Sequence, residues 1–243
     1  MYHKIGTYRG DRVSSGERLL RTKLNLAKFN VKHTYGTLIN WGCTQVPQRY
    51  TNILNKPEAI QVCANKTLTY DKLKEAEVPT IKWTLSKEEA LAFGFPLLYR
   101  KNFLSKGLGI KIVENAQDMP LVVGETYFFS KFYKSLSEYR VHVFRDKLVG
   151  WSKKTPNEGA VSPIRSHNNG YRFSLRTDDI QPQLLEKAVK AVKAVGLDFG
   201  AVDVLLDDKN RYRVLEVNSA PGLDDGTILG KYVEQFHLIK VAQ

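Results

Sequence analysis

Cysteine is scarce. The 243 residues hold only Cys43 and Cys63, with no CxxC pair. That excludes a disulfide framework and the usual thiolate zinc sites, and it suits a reducing compartment. The five histidines are scattered without metal-site spacing. No run of about 18 apolar residues occurs, so no membrane-spanning helix is predicted. The opening MYHKIGTYRGDRVSSG lacks the apolar segment of a secretory signal. Low-complexity tracts and long blocks of one charge sign are missing too. Together these absences predict a cytoplasmic protein that does not enter a membrane.

What is present points to a packed core and to polyanions. Hydrophobic residues make up 42% and aromatics 11%, enough for one large domain or two small ones. Lys and Arg number 37 against 25 Asp and Glu, a formal charge of +12. Such an excess attracts nucleotides, nucleic acid or acidic peptides. The cations are spread out, so any one run, such as SKK, reads equally as a solvated face. Nucleic acid stays open as a partner, with no motif behind it.

Residues 1–65 read as a small α/β unit. SSGERLLRTKLNLA carries a capping box from Ser14 to Glu17, HTYGTLINWG reads as a strand entering a turn, and Pro57 opens a short helix. Residues 66–133 mix helix and strand, with a second capping box from Ser86 to Glu89, a strand FPLLYRKN, a glycine loop FLSKGLG and a strand IKIVEN. Residues 134–243 include a hairpin, EYRVHVFRDKLVGWSKK, turning near Arg145 and Asp146. PQLLEKAVKAVKAVG is the clearest helix, opened by Pro182 and stopped by Gly196, with Leu184, Leu185, Ala188, Val192 and Val195 as its apolar stripe. Without a regular βαβ repeat, the predicted class is α+β.

The chemistry concentrates in AVDVLLDDKNRYRVLEVNSAPGL. A turn at Asp207–Asn210 sets Asp203 roughly opposite residue 215 or 216. Alternation puts Val214, Glu216 and Asn218 on one face of the second arm, and Leu215 and Val217 on the other. Asp203, Glu216 and Asn218 then converge. Two carboxylates and an amide offer oxygen ligands to a hard cation such as magnesium, leaving places for water and phosphate oxygens. Alone, the second arm would also fit an edge strand with its polar face in water. The D-x₁₂-E-x-N spacing on a hairpin argues for the metal.

That hairpin resembles the metal-binding hairpin of the ATP-grasp ligases, which include D-alanine–D-alanine ligase, glutathione synthetase and the ribosomal-protein glutamate ligases. The likeness runs in order over about residues 66–243. It implies an ATP-grasp fold behind a short N-terminal α/β unit. Asp203, Glu216 and Asn218 would hold magnesium, or manganese in its place, on the phosphates of ATP. The family carries a phosphate-binding lysine after its GFP element. Here Arg100 stands there with Lys101 beside it, and counting from Pro96 favours Arg100 as the inward residue. Ser105, Gly107 and Gly109 would match the phosphate loop, whose glycines let backbone N–H groups approach an anion. The resemblance implies adenine on the backbone of Lys131, Phe132 and Tyr133, and ribose on Glu138. Lys153 and Arg165 would lie over the phosphates and the acyl group, with Asn168 or Asn169 as a further contact.

The implied reaction is a ligation in which a carboxylate becomes an acyl phosphate and an amine displaces the phosphate. Two competing readings are a phosphotransferase on the same fold and a non-catalytic nucleotide- or nucleic-acid-binding module. The first would release no free phosphate; the second would turn over nothing. Only about 65 residues precede the core, where the family usually has a fuller domain. The acceptor site is therefore expected to be open, or completed by a second subunit of a homodimer or by the substrate. With the +12 charge, this favours an acidic peptide or macromolecule.

Overall fold

Three sheets carry the chain. The first is parallel and built from β1 (Ile5–Tyr8), β2 (Thr37–Asn40) and β3 (Ile53–Leu54) in that order. Between β1 and β2 runs α1 (Ser15–Lys23), whose N-cap Ser14 accepts from the Glu17 N–H at 3.2 Å. The Glu17 carboxylate turns inward and accepts from the Thr7 hydroxyl at 2.6 Å, tying α1 to β1. The computed structural model describes residues 5–8, 14–26, 29–30, 32, 35–50, 52–104, 107–122, 124 and 126–241.

After α2 (Pro57–Ala64) and α3 (Lys66–Glu75) comes an antiparallel sheet of β4 (Trp83–Thr84), β5 (Leu97–Lys101), β6 (Ile110–Val113) and β7 (Tyr127–Lys131), in the order β4-β7-β5-β6. The short α4 (Lys87–Leu91) packs beneath it, capped by Ser86. The third sheet holds β8 (Ser135–Phe144), β9 (Lys147–Pro156), β10 (Tyr171–Arg176), β11 (Phe199–Asp207) and β12 (Tyr212–Asn218). It is antiparallel throughout, with order β10-β9-β8-β11-β12.

One face of this third sheet is apolar and covered by α5 (Pro182–Ala194), whose Leu184, Ala188, Ala191 and Val192 are buried against Val202, Val204, Val214 and Val217. Gly196 ends that helix at φ +78°, a conformation that glycine adopts without strain. At the other end of the sheet, α6 (Gly226–Val241) packs Ile228, Tyr232 and Phe236 onto Trp41, Phe144 and Phe199. The N-terminal sheet thus shares a core with the C-terminal helix. A polar tie reinforces the junction. Fully buried Asn55 donates to the Phe199 carbonyl at 2.9 Å and accepts from the Asp198 and Phe199 N–H groups, while Asp198 accepts from the Asn55 N–H at 2.7 Å. Among the described residues, no helix is long and apolar enough to cross a membrane. The class is α+β, as the sequence predicts.

Candidate active site

The second face of the five-stranded sheet carries charge in cross-strand rows. One row runs Leu175–Ser152–Arg140–Asp203–Glu216 across all five strands. On one side of it lie Phe173 opposite Lys154, and Glu138 opposite Leu205. On the other side, Gly150, His142, Ala201 and Asn218 form a third row. These rows floor a cavity of about 1060 Å³. Arg100 and Ile110 of the four-stranded sheet face it, and Ser14–Gly16, Trp41 and Asp224 line its far end.

A β-bulge aims the hairpin. Asp203 pairs with Glu216 but Val204 pairs with Val214, so Leu215 is an extra residue. Strict alternation had put Val214 on the face of Glu216. The bulge instead sends Val214 into the core with Val217, and leaves Leu215, Glu216 and Asn218 on the cavity.

Each carboxylate of the floor has a different environment. Asp203, 8% exposed, takes the Arg140 guanidinium as a two-pronged fork, at 2.7 Å from Nε and 2.8 Å from Nη2. Burial alone would raise its pKa, but Arg140 outweighs it and holds Asp203 below the usual carboxylate range. Glu216 is pushed the other way, by burial first and by the Asp203 charge second, with Lys66, Arg140 and Arg100 opposing. Glu138 is raised by burial despite its ion pair with Lys154 at 2.7 Å. His142 is pulled down to about 3 by burial and by Arg140, so its imidazole is neutral near pH 7.

This donor set fits a hard divalent cation. Asp203 and Glu216 pair across β11 and β12 and both face the cavity, and Asn218 brings its amide oxygen to the same wall. No cluster of three His, Cys, Asp or Glu side chains occurs among the described residues, so the set is two carboxylates and an amide. Asp203 keeps lone pairs beyond those that Arg140 occupies.

The structure separates the sequence-predicted residues. Asp203, Glu216, Asn218, Arg100, Gly107, Lys131, Phe132, Tyr133, Glu138, Arg165 and Asn168 all line the cavity. Four others do not. Lys101 turns to the opposite face of β5, its ammonium 5.5 Å from the centre of the Tyr127 ring. Gly109 closes the β5–β6 turn at φ +69°, where a Cβ would meet that of Lys101 at 2.8 Å. Lys153 alternates away from the cavity, and its neighbour Lys154 occupies the place expected for it. Asn169 braces its own loop, donating to the Ile164 carbonyl at 2.7 Å. Ser105 lies outside the described residues. Arg165 is partly engaged already, donating to the Ser135 carbonyl at 2.7 Å.

Sequence reasoning missed Arg140, His142, Lys154 and Lys66. Counting by twos from Glu138 would have found Arg140 and His142, and counting from Ser152 would have found Lys154. Lys66 carries no local signal. It opens α3, and its ammonium donates to the Asn102 carbonyl at 2.9 Å and to the Leu104 carbonyl, anchoring the start of the glycine loop.

Fold and site together define a class, the ATP-grasp fold. The structure of the ATP-grasp ligase PsnB with a phosphomimetic variant of its minimal precursor, Mg and ADP aligns at TM-score 0.73 and 15% identity, covering 99% of both chains. D-alanine–D-alanine ligase from Bacillus anthracis aligns at TM-score 0.66 and 15% identity, again over 99% of both. The family model described as the RimK-like ATP-grasp domain matches residues 54–233, and the chain belongs to that family. Among curated relatives, D-alanine–D-alanine ligase of Alcanivorax borkumensis is 25% identical over 175 residues, 68% of this chain and 57% of the relative. A probable alpha-L-glutamate ligase of Mannheimia succiniciproducens is 24% identical over 201 residues, 75% of this chain and 65% of the relative. The chain therefore spans less than two thirds of the length of either.

Proposed function

We propose that the chain is a magnesium-dependent, ADP-forming ligase. A carboxylate takes the γ-phosphate of ATP, and an amine then displaces that phosphate to leave an amide. The observation that carries this reading is the pairing of Asp203 with Glu216 across β11 and β12, beside Asn218 and facing Arg100. These three oxygen-bearing side chains would hold magnesium, which when bound neutralises charge on the phosphate oxygens. Arg100 would fork onto phosphate, Glu138 would take the ribose hydroxyls, and the backbone of Lys131–Tyr133 would meet the base. Arg165 would stabilise charge at the acyl phosphate. Positioning and electrostatics then carry the catalysis, with no protein nucleophile required.

An acidic peptide or macromolecule is the acceptor that best fits the basic side of the cavity, where Arg165, Arg172 and His167 gather. Support comes from PsnB, a ligase solved with a precursor peptide. The test supplies Mg–ATP with a panel of acidic peptides and amines, and measures ADP and phosphate. Equal release of both, only when carboxylate and amine are present, is expected. A phosphorylated product without free phosphate would mean a phosphotransferase instead. Glu216→Gln should abolish turnover with an unchanged melting curve. Added NaCl should raise the acceptor KM far more than the ATP KM, because exposed charges are screened beyond about 10 Å at 0.1 M.

A further inference from the structure

Phe173 is an aromatic residue shared by two cations. The guanidinium carbon of Arg140 lies 4.2 Å from its ring centre, and the Lys154 ammonium 5.0 Å. Sheet register explains both contacts. Phe173 stands opposite Lys154 on β9. Arg140 comes from β8, one strand further, and pairs with Ser152 on β9, so only a small side chain stands between it and β10 in its own row. Both cations are already committed to carboxylates of the floor. Arg140 forks onto Asp203, and Lys154 pairs with Glu138. Arg and Lys carry long, rotamer-rich side chains, and the negative face of an aromatic ring attracts their charged ends. One ring therefore restrains the cations of two separate ion pairs.

We infer that Phe173 is a positioning residue, whose ring holds Arg140 on Asp203 at the metal end and Lys154 on Glu138 at the nucleoside end. This rests on the nucleotide–metal reading of the cavity. Simple apolar packing is the alternative role for the ring, and it makes a different demand. Packing needs volume, whereas cation binding needs a π face. Leucine supplies the first without the second, and tyrosine keeps both.

Calorimetric titration of the full chain with Mg–AMPPNP separates the two roles. Phe173→Leu should weaken binding about tenfold, the scale of losing two cation–π contacts. Phe173→Tyr should stay within about twofold of wild type, since the ring is retained. In an Arg140→Lys background the leucine effect should shrink, because the stacked guanidinium is gone. Should the leucine variant fail to fold by thermal melting, Phe173→Met carries the same expectation. Leucine binding like wild type, tyrosine as weak as leucine, or full additivity with Arg140→Lys would overturn the inference. Failure of the wild-type chain to bind would overturn the nucleotide reading and this inference with it. That outcome is distinct from a defect that fails to track the ring.

Discussion

A one-residue step decides which lysine reaches the cavity. Lys153 and Lys154 are adjacent, equally charged and indistinguishable by composition, yet alternation on β9 sends only Lys154 to the floor. Its partner Glu138 is 7% exposed. Removing the ammonium from Lys154 takes the ion-pair partner from that buried carboxylate and leaves it only the more distant Arg165 charge, a change that typically costs about 3–5 kcal/mol. Lys154→Ala should therefore lower stability on that scale and weaken Mg–AMPPNP binding. Lys153→Ala should stay within about 0.5 kcal/mol. Urea unfolding and nucleotide titration of the two variants would check this, and equal damage would show that the register is misread. The sequence carried this register in its spacing, because Glu138, Arg140 and His142 alternate as cleanly as Ser152 and Lys154.

At the scale of elements, the β11–β12 hairpin was legible and its bulge was not. Turn residues at Asp207–Asn210 and apolar runs on either side announce a hairpin, and Asp203 does meet Glu216. An extra residue such as Leu215 leaves no mark in composition, so the face of Val214 could only come from the structure. Asp207 secures the turn. Fully buried, it accepts from the Lys209 and Arg211 N–H groups at 3.0 and 2.9 Å, and from the guanidinium groups of Arg211 and Arg213 at 3.1 and 3.0 Å. Burial would raise its pKa, but these donors win and lower it to about 2. A carboxylate whose pKa is depressed on folding adds stability above its unfolded value. That contribution fades as pH falls from about 4 toward 2. Asp207→Asn should thus cost about 2 kcal/mol at pH 7, with the deficit shrinking between pH 4 and pH 3. Urea titrations at pH 7, 4 and 3 measure it. A deficit independent of pH would assign the loss to turn geometry rather than to charge.

Over the whole molecule, the contacts that join the ends were the least legible. Asn55 and Asp198 are 143 residues apart in sequence, and Trp41 meets Phe199 and Tyr232 from further away still. Periodicity reports which face of an element is apolar, never which distant element covers it. These contacts have a mechanical consequence. The aromatic core beneath α6 includes Trp41, Phe199 and Tyr232, so the N-terminal sheet cannot open without exposing the end of the sheet that carries Asp203. The chain should accordingly unfold in one transition, with Trp41 fluorescence and sheet circular dichroism falling together. Saturating Mg–AMPPNP, at about 100 times its Kd, should then raise the stability of the entire transition by about 2.7 kcal/mol. Asn55→Ala supplies the counter-test. It strips a buried tie at φ +61°, where asparagine is tolerated and alanine is strained, and leaves the Asp198 and Phe199 N–H groups without their side-chain acceptor. A loss of about 2–4 kcal/mol is expected. If the N-terminal sheet instead melts first in wild type, and the nucleotide shifts only the later transition, the two regions are independent and the shared core does not couple them.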